Sequence, residues 1–84
     1  MKCYVILREY YNNVSIVEEV YSSKKKAQAH IDNIKYWCDK DGWSVTKNYR
    51  HMDGGKKVEC IEIHSPTGRK ESTERYYIIV KEIK

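Results

Sequence analysis

The segment SSKKKAQAHIDNIKYWCDKDG, residues 22–42, carries the clearest structural pattern in the chain. Its apolar positions at helical spacing are Ala27, Ile31, Ile34 and Cys38. They form a single stripe, as expected for a helix that packs on one face. Ser22 or Ser23 suits the N-cap, and Gly42 suits the residue that follows a helix. The segment therefore predicts one amphipathic helix that ends near Asp39.

Strand-like segments flank this helix, two before it and three after it. The predicted strands cover residues 3–11, 14–21, 43–52, 57–64 and 75–83, and the predicted turns cover 12–13, 53–55 and 65–68. Asn, Asp, Gly and Pro dominate these turns because they tolerate the required backbone conformations. The order β-β-α-β-β-β predicts a single α+β domain over residues 1–84, a mainly antiparallel five-stranded sheet with one helix on one face. The first and last strands are apolar on both faces, so we expect them to lie side by side.

The first hairpin leaves open which sheet face the helix covers. A two-residue turn would pair Glu9 with Ile16, and a slip of one residue would turn every side chain over. We assign to the helix the side that carries Cys3, Val5, Leu7, Tyr11, Val14, Ile16 and Val20. The opposite side, rich in tyrosine, then has no segment left to cover it, and uncovered patches often mark interaction sites. Alternatively, strand twist and the loop 69–72 hide part of that face.

Composition narrows the class of protein. The chain has 84 residues and a formal net charge of +4, which suits one small domain. No run of apolar residues is long enough to span a membrane, and we expect no signal peptide. The three cysteines, Cys3, Cys38 and Cys60, are far apart and odd in number. We therefore expect reduced, mostly buried thiols in a cytoplasmic protein.

Motifs for catalysis and metal binding are missing. Cys60 and His64 would lie about 13 Å apart on a strand, at ~3.3 Å per residue, too far to share a metal ion. Gly42 follows the predicted helix and the other three glycines fall in predicted turns, so no glycine-rich phosphate loop is present. No nucleophile has a positioned base nearby in sequence. We expect a protein without enzymatic activity, catalytic residues, metal or cofactor.

The first part of the chain resembles a class of small bacterial and phage proteins. The similarity rests on Tyr4-Val5-Ile6-Leu7, Tyr10, Val20-Tyr21-Ser22-Ser23, Ala27 and Ile31. In those proteins a strand hairpin ends in a Tyr-Ser-Ser cap and enters an amphipathic helix. The Lys24-Lys25-Lys26 run and the three later strands depart from that pattern. The resemblance implies the fold and favours a phage accessory protein, such as an inhibitor of a host or defence protein.

Protein binding through the tyrosine-rich face is the favoured function. The residues predicted to carry it are Tyr4, Arg8, Tyr10, Tyr21 and Tyr76. Tyrosine can bury its ring while its hydroxyl keeps a polar partner, and arginine is a frequent anchor. The expected partner is a host or defence protein, or a second copy of the chain in a homodimer.

Nucleic-acid binding is the alternative. The residues that would carry it are Lys24, Lys25, Lys26, Tyr49, Arg50, Lys56 and Lys57, at the helix start and around the 53–55 turn. Lysines at a helix N-terminus oppose the helix dipole but favour an anion there. Twelve acidic residues dilute this basic character.

Overall fold

A computed structural model describes residues 1–12, 14–69 and 72–82. Its elements are β1 (Lys2–Tyr10), β2 (Ser15–Tyr21), α1 (Lys24–Lys40), β3 (Ser44–His51), β4 (Lys57–His64) and β5 (Glu74–Glu82). The predicted α+β order β-β-α-β-β-β is confirmed. Four predicted positions lie outside the described residues, namely Asn13 of the first turn, Lys70 and Glu71 of the loop, and Ile83 of the last strand.

Both ends of α1 follow from the residues that the sequence offers there. The Ser23 side chain accepts a hydrogen bond from the Lys26 backbone N–H at 3.4 Å, as an N-cap does. At the other end, Gly42 adopts a positive φ of 78°. The Gly42 N–H donates to Asp39 O at 3.2 Å, and the Trp43 N–H donates to Cys38 O at 2.8 Å. This pair of bonds is a Schellman motif, which satisfies carbonyl groups that the helix leaves unpaired.

The five strands form one antiparallel sheet in the order β2-β1-β5-β4-β3. The first and last strands are neighbours, as the sequence predicts. β1 and β5 pair along their whole length, and so do β3 and β4. β4 and β5 pair only over Cys60–Ile63 and Glu74–Tyr77, so the sheet has one short seam.

The first hairpin differs from its predicted register. Val5 faces Val20 as expected, but Glu9 faces Ser15 instead of Ile16. The register shifts between Ile6 and Leu7, because β2 holds one extra residue there, a β-bulge. Ile16 therefore lies opposite Arg8, on the other side of the sheet from Val17.

The helix covers the sheet face opposite to the one assigned from the hairpin. The core under α1 contains Ile6, Ile61, Ile63 and Tyr76, together with Ala27 and Ile31 of the helix. Tyr4 and Tyr21 pack against this core. The assignment of Cys3, Val5 and Leu7 to the helix side is therefore wrong. The residues of β4 and β5 explain why the helix covers this face. If it covered the other face, Glu62 and Arg75 would be buried beneath it instead of isoleucines.

Within the described part of the chain, no helix has both the length and the apolar character needed to cross a membrane.

Candidate functional site

The sheet face turned away from α1 presents a contiguous apolar surface at one side. Val5 lies between Val20 of β2 and Ile79 of β5, and Leu7 lies opposite Val17. Side chains two apart on a strand share a face, so these residues form one group. We call it the open-face patch: Val5, Leu7, Val17, Val20 and Ile79.

Exposure of this patch is highest along the edge strand β2. Val17 is 60% exposed and Val20 is 49% exposed, whereas Val5, Leu7 and Ile79 are half-buried. Among the described residues, α1 is the only α-helix, and it packs on the opposite side of the sheet. The patch therefore combines apolar character with access to solvent, which is typical of interaction surfaces.

A network of charged side chains occupies another part of this face. Arg75 on β5 donates through Nη1 to Glu9 Oε1 at 3.1 Å and through Nε to Glu62 Oε2 at 2.8 Å. Arg50 Nε lies 3.0 Å from Glu9 Oε2, and the Asn48 amide donates to Glu62 Oε2 at 2.9 Å. We call this network the charge ladder, because it links β1, β5, β4 and β3 in turn. It borders an open polar depression of about 260 Å³.

Burial makes the charge ladder structurally important. The Glu9 side chain is only 1% exposed, while those of Arg50 and Arg75 are 40% and 32% exposed. The Arg50 Nε–H does not point at Glu9 Oε2, so that contact is an ion pair without a hydrogen bond. Hydrogen bonding to Arg75 holds the pKa of the Glu62 carboxyl below its ordinary value. Both arginines are thus held by carboxylates and contribute no free positive charge.

Three residues predicted for protein binding meet on the same side of the sheet as the helix. The Arg8 guanidinium lies 5.1 Å from the Tyr10 ring centre and 5.6 Å from that of Tyr76. Arg8 also donates to Glu74 Oε1 at 2.6 Å and lies 3.7 Å from Glu18. Tyr76 is only 6% exposed, and burial raises its pKa to about 12. The prediction that these side chains lie on an uncovered face is wrong.

Tyr4 and Tyr21, the other two predicted residues, face each other across β1 and β2. Both are half-buried against the core beneath α1. The Tyr21 hydroxyl is hydrogen-bonded to His30 Nδ1 at 2.8 Å. Their rings thus fix the start of the helix on the sheet.

The residues predicted for nucleic-acid binding are partly brought together. Lys24, Lys25 and Lys26 begin α1, at the end of the sheet where β2 and β5 finish and β4 starts. Lys56 and Lys57 lie at the same end, and Lys57 Nζ is 5.3 Å from the Tyr49 ring centre. Arg50 is separated from them, because it points to the opposite sheet face and pairs with Glu9.

Sequence reasoning missed an exposed aromatic pair on the outer side of α1. Tyr36 and Trp37 are 53% and 52% exposed, and their ring centres are 5.3 Å apart. Lys40 Nζ lies within 5.7 Å of both ring centres. The sequence contained a signal for this exposed pair, because both aromatic residues fall outside the apolar stripe of the helix.

Reactive groups are not concentrated in one place. Among the described residues, no three His, Cys, Asp or Glu side chains are grouped so that they could hold a metal ion. Cys60 is buried, and Cys3 and Cys38 are half-buried. Burial raises the pKa of the Cys38 and Cys60 thiols, which disfavours the reactive thiolate form.

Comparison of the chain with known protein families, with curated proteins and with solved structures found no match.

Proposed function

We propose that this chain is a small non-enzymatic binding protein that contacts a protein partner through the open-face patch. The observation that carries the proposal is the exposure of Val17 and Val20 beside Val5, Leu7 and Ile79. Burying such side chains would release apolar surface from water, at about 25 cal/mol per Å². The site lies opposite the tyrosine-rich face that the sequence suggested.

A host or defence protein is the proposed partner, and inhibition by occupying its surface is the proposed role. This part of the proposal rests on the resemblance of the first hairpin and helix start to small phage and bacterial proteins. The charge ladder beside the patch supplies polar groups that could line the rim of an interface. A second copy of the chain is the other partner that would fit an apolar patch.

Two neighbouring residues of β2 give a matched test of this proposal. Val17→Lys places a charge in the open-face patch, whereas Ile16→Lys places the same charge on the other side of the same edge strand. Both residues are exposed, at 60% and 41%, so both variants should fold. We expect Val17→Lys to lose the partner in quantitative affinity capture from bacterial host lysate, and Ile16→Lys to retain it.

Sedimentation of the wild type and both variants tests for a second copy as the partner. Circular dichroism confirms that each variant is folded. If Val17→Lys changes neither capture nor self-association, the open-face patch is not the interface. Equal effects of the two variants would point to general destabilisation of β2 and would also contradict the proposal.

Nucleic-acid binding remains a second candidate, favoured by the common location of the basic residues. The lysines of the helix start and of the β3–β4 turn lie at one end of the sheet. Anisotropy of labelled single- and double-stranded oligonucleotides at two salt concentrations would test it. Real binding should weaken with salt, with a log–log slope of about −0.9 for each duplex phosphate contacted. Absence of binding at low salt would eliminate this candidate.

A further inference from the structure

The sheet opens into a slot between β4 and β5, at the end where α1 begins. The last paired residues on this side are Cys60 and Tyr77. Beyond them, β4 continues through Lys57–Glu59 paired only to β3, and β5 continues through Ile78–Glu82 paired only to β1. Among the described residues, none pairs with these two inner edges. Two strand edges with free backbone N–H and C=O groups therefore face the same gap.

The slot is walled by side chains suited to an extended peptide. It has a volume of about 290 Å³ and opens to solvent. The walls are Val58 and Glu59 of β4, and Ile78 and Val80 of β5. Lys24 and Gln28 of α1 lie over it, so an occupant would be enclosed on a third side.

Charge around the slot is positive. Lys24 and Lys35 line it, with Lys35 Nζ 4.0 Å from Asp32 Oδ1, and Lys57 and Lys81 stand at the ends of its two strands. The acidic groups nearby already have cationic partners. Glu59 lies 3.4 Å from Lys47 Nζ, and Glu82 lies 3.8 Å from the N-terminal ammonium group.

We infer that the slot binds an extended peptide segment of a partner, in which acidic side chains alternate with apolar ones. The segment pairs with the free edge of β5, beginning at Ile78, and its backbone supplies the missing hydrogen-bond partners. Strand addition of this kind draws affinity from the main chain and specificity from alternate side chains. Successive side chains of a strand point to opposite sheet faces, so the acidic ones point to the α1 side, toward Lys24 and Lys35, and the apolar ones point to the other side, beside Val58. This site is separate from the open-face patch and does not depend on it.

Labelled synthetic peptides test the inference directly. The probe is the labelled peptide acetyl-Val-Glu-Val-Glu-Val-Glu-amide, and a Val-Lys peptide of the same length serves for comparison. Fluorescence anisotropy measures the binding of each peptide. We expect the acidic peptide to bind and the basic one not to bind. N-methylation of two consecutive central residues removes backbone donors without changing charge, and should weaken binding at least about tenfold.

Adjacent lysines provide the matched protein variants. Lys24→Glu reverses a charge that lines the slot, whereas Lys25→Glu makes the same change one residue on, outside the slot. We expect about fivefold weaker peptide binding for Lys24→Glu and little change for Lys25→Glu. Val17→Lys should leave peptide binding intact, which separates this site from the one proposed for the open-face patch.

Several results would overturn the inference. One is no binding of the acidic peptide up to about 1 mM. Another is equal binding of the N-methylated peptide, which would indicate charge attraction alone. A third is equal weakening by Lys24→Glu and Lys25→Glu together with displacement of the peptide by single-stranded DNA. That result would assign the basic end to nucleic acid instead.

Discussion

Arg75 is the residue on which the charge ladder depends, because it holds carboxylates from two neighbouring strands. Its Nη1 and Nε atoms donate to Glu9 and Glu62, and Glu9 is almost completely buried. Removal of one partner from a buried ion pair leaves an uncompensated charge, which costs more than the pair itself contributes. The arginines, by contrast, can turn into water if Glu9 is changed.

Substitution of Arg75 by methionine should therefore be strongly destabilising. Methionine keeps much of the side-chain volume but leaves Glu9 with Arg50 alone. We expect the free energy of unfolding to fall by about 3 kcal/mol, measured by urea denaturation. Arg69→Met, at an exposed position, should change it by less than about 0.5 kcal/mol. Equal small losses in both variants would show that the ladder adds little to stability.

Glu9→Gln should lower the free energy of unfolding less than Arg75→Met does. Glu9 is buried, whereas the partly exposed arginines can reach water when Glu9 loses its charge. The amide keeps the shape of the carboxylate and lowers the cost of burying a charge, while Arg75 retains Glu62. A larger loss for Glu9→Gln than for Arg75→Met in the same denaturation experiment would contradict this account of the ladder.

Tyr76 makes stability dependent on pH in the alkaline range. Its pKa rises from an ordinary value of 10.0 to about 12 in the folded protein, chiefly through burial. Between these values the folded state keeps a proton that the unfolded state has lost. Below pH 10.0 this residue should not make the free energy of unfolding depend on pH. Between pH 10.0 and about 12 it should lower the free energy of unfolding by about 1.4 kcal/mol per pH unit.

Tyr76→Phe should remove that component of the alkaline loss. The measurement is the midpoint of urea unfolding at several pH values from 9 upward, compared with the wild type. Tyr49→Phe, which removes an exposed hydroxyl, should leave the wild-type slope unchanged. If Tyr76→Phe and the wild type lose stability in parallel, burial of the Tyr76 hydroxyl does not control the alkaline transition.

At the scale of elements, the end of α1 depends on one glycine. Gly42 has a φ of 78°, and a Cβ atom added there would meet Pro66 at an ordinary distance of 3.9 Å. Gly42→Ala should therefore lower the free energy of unfolding by about 1 kcal/mol through backbone strain alone. Gly42→Asn should lose less, because asparagine tolerates this conformation better. Thermal unfolding would compare the two, and equal losses would contradict the conformational explanation.

Local signals made the elements predictable from the sequence. The apolar stripe, the serine cap and the final glycine define α1, and turn residues separate the strands. That β1 and β5 are neighbours followed from the apolar character of both faces of these two strands. Each of these features depends on residues that are close in sequence.

The covered face was wrongly predicted because the first hairpin was used alone. The bulge in β2 changes its register, so Ile16 and Val20, which were assigned to the same side, lie on opposite sides. β4 contained the better signal, since Ile61 and Ile63 alternate with Cys60 and Glu62. A helix placed over the isoleucines leaves the charged residues accessible. The charge ladder itself could not be predicted, because it joins residues of four strands whose registers were unknown.

At the scale of the whole molecule, the sheet consists of two parts with different roles. β2, β1 and β5 carry the open-face patch, and the β3–β4 hairpin carries the outer end of the charge ladder. Four residue pairs join the two parts, and α1 contacts strands of both. Binding at the slot would tighten this junction, whereas binding at the open-face patch would act on the first part alone.

The pairing of β1 with β5 has a consequence for folding during synthesis. Lys2 pairs with Glu82 and Tyr10 pairs with Glu74, so β1 can complete its pairing only after β5 has been synthesised. Closing so long a loop is entropically costly before any contact rewards it, and high contact order slows folding. While the chain is being synthesised, Ile6 and the apolar stripe of α1 remain without Tyr76 and Ile78 to cover them. The sheet is therefore completed only after β5 has emerged from the ribosome.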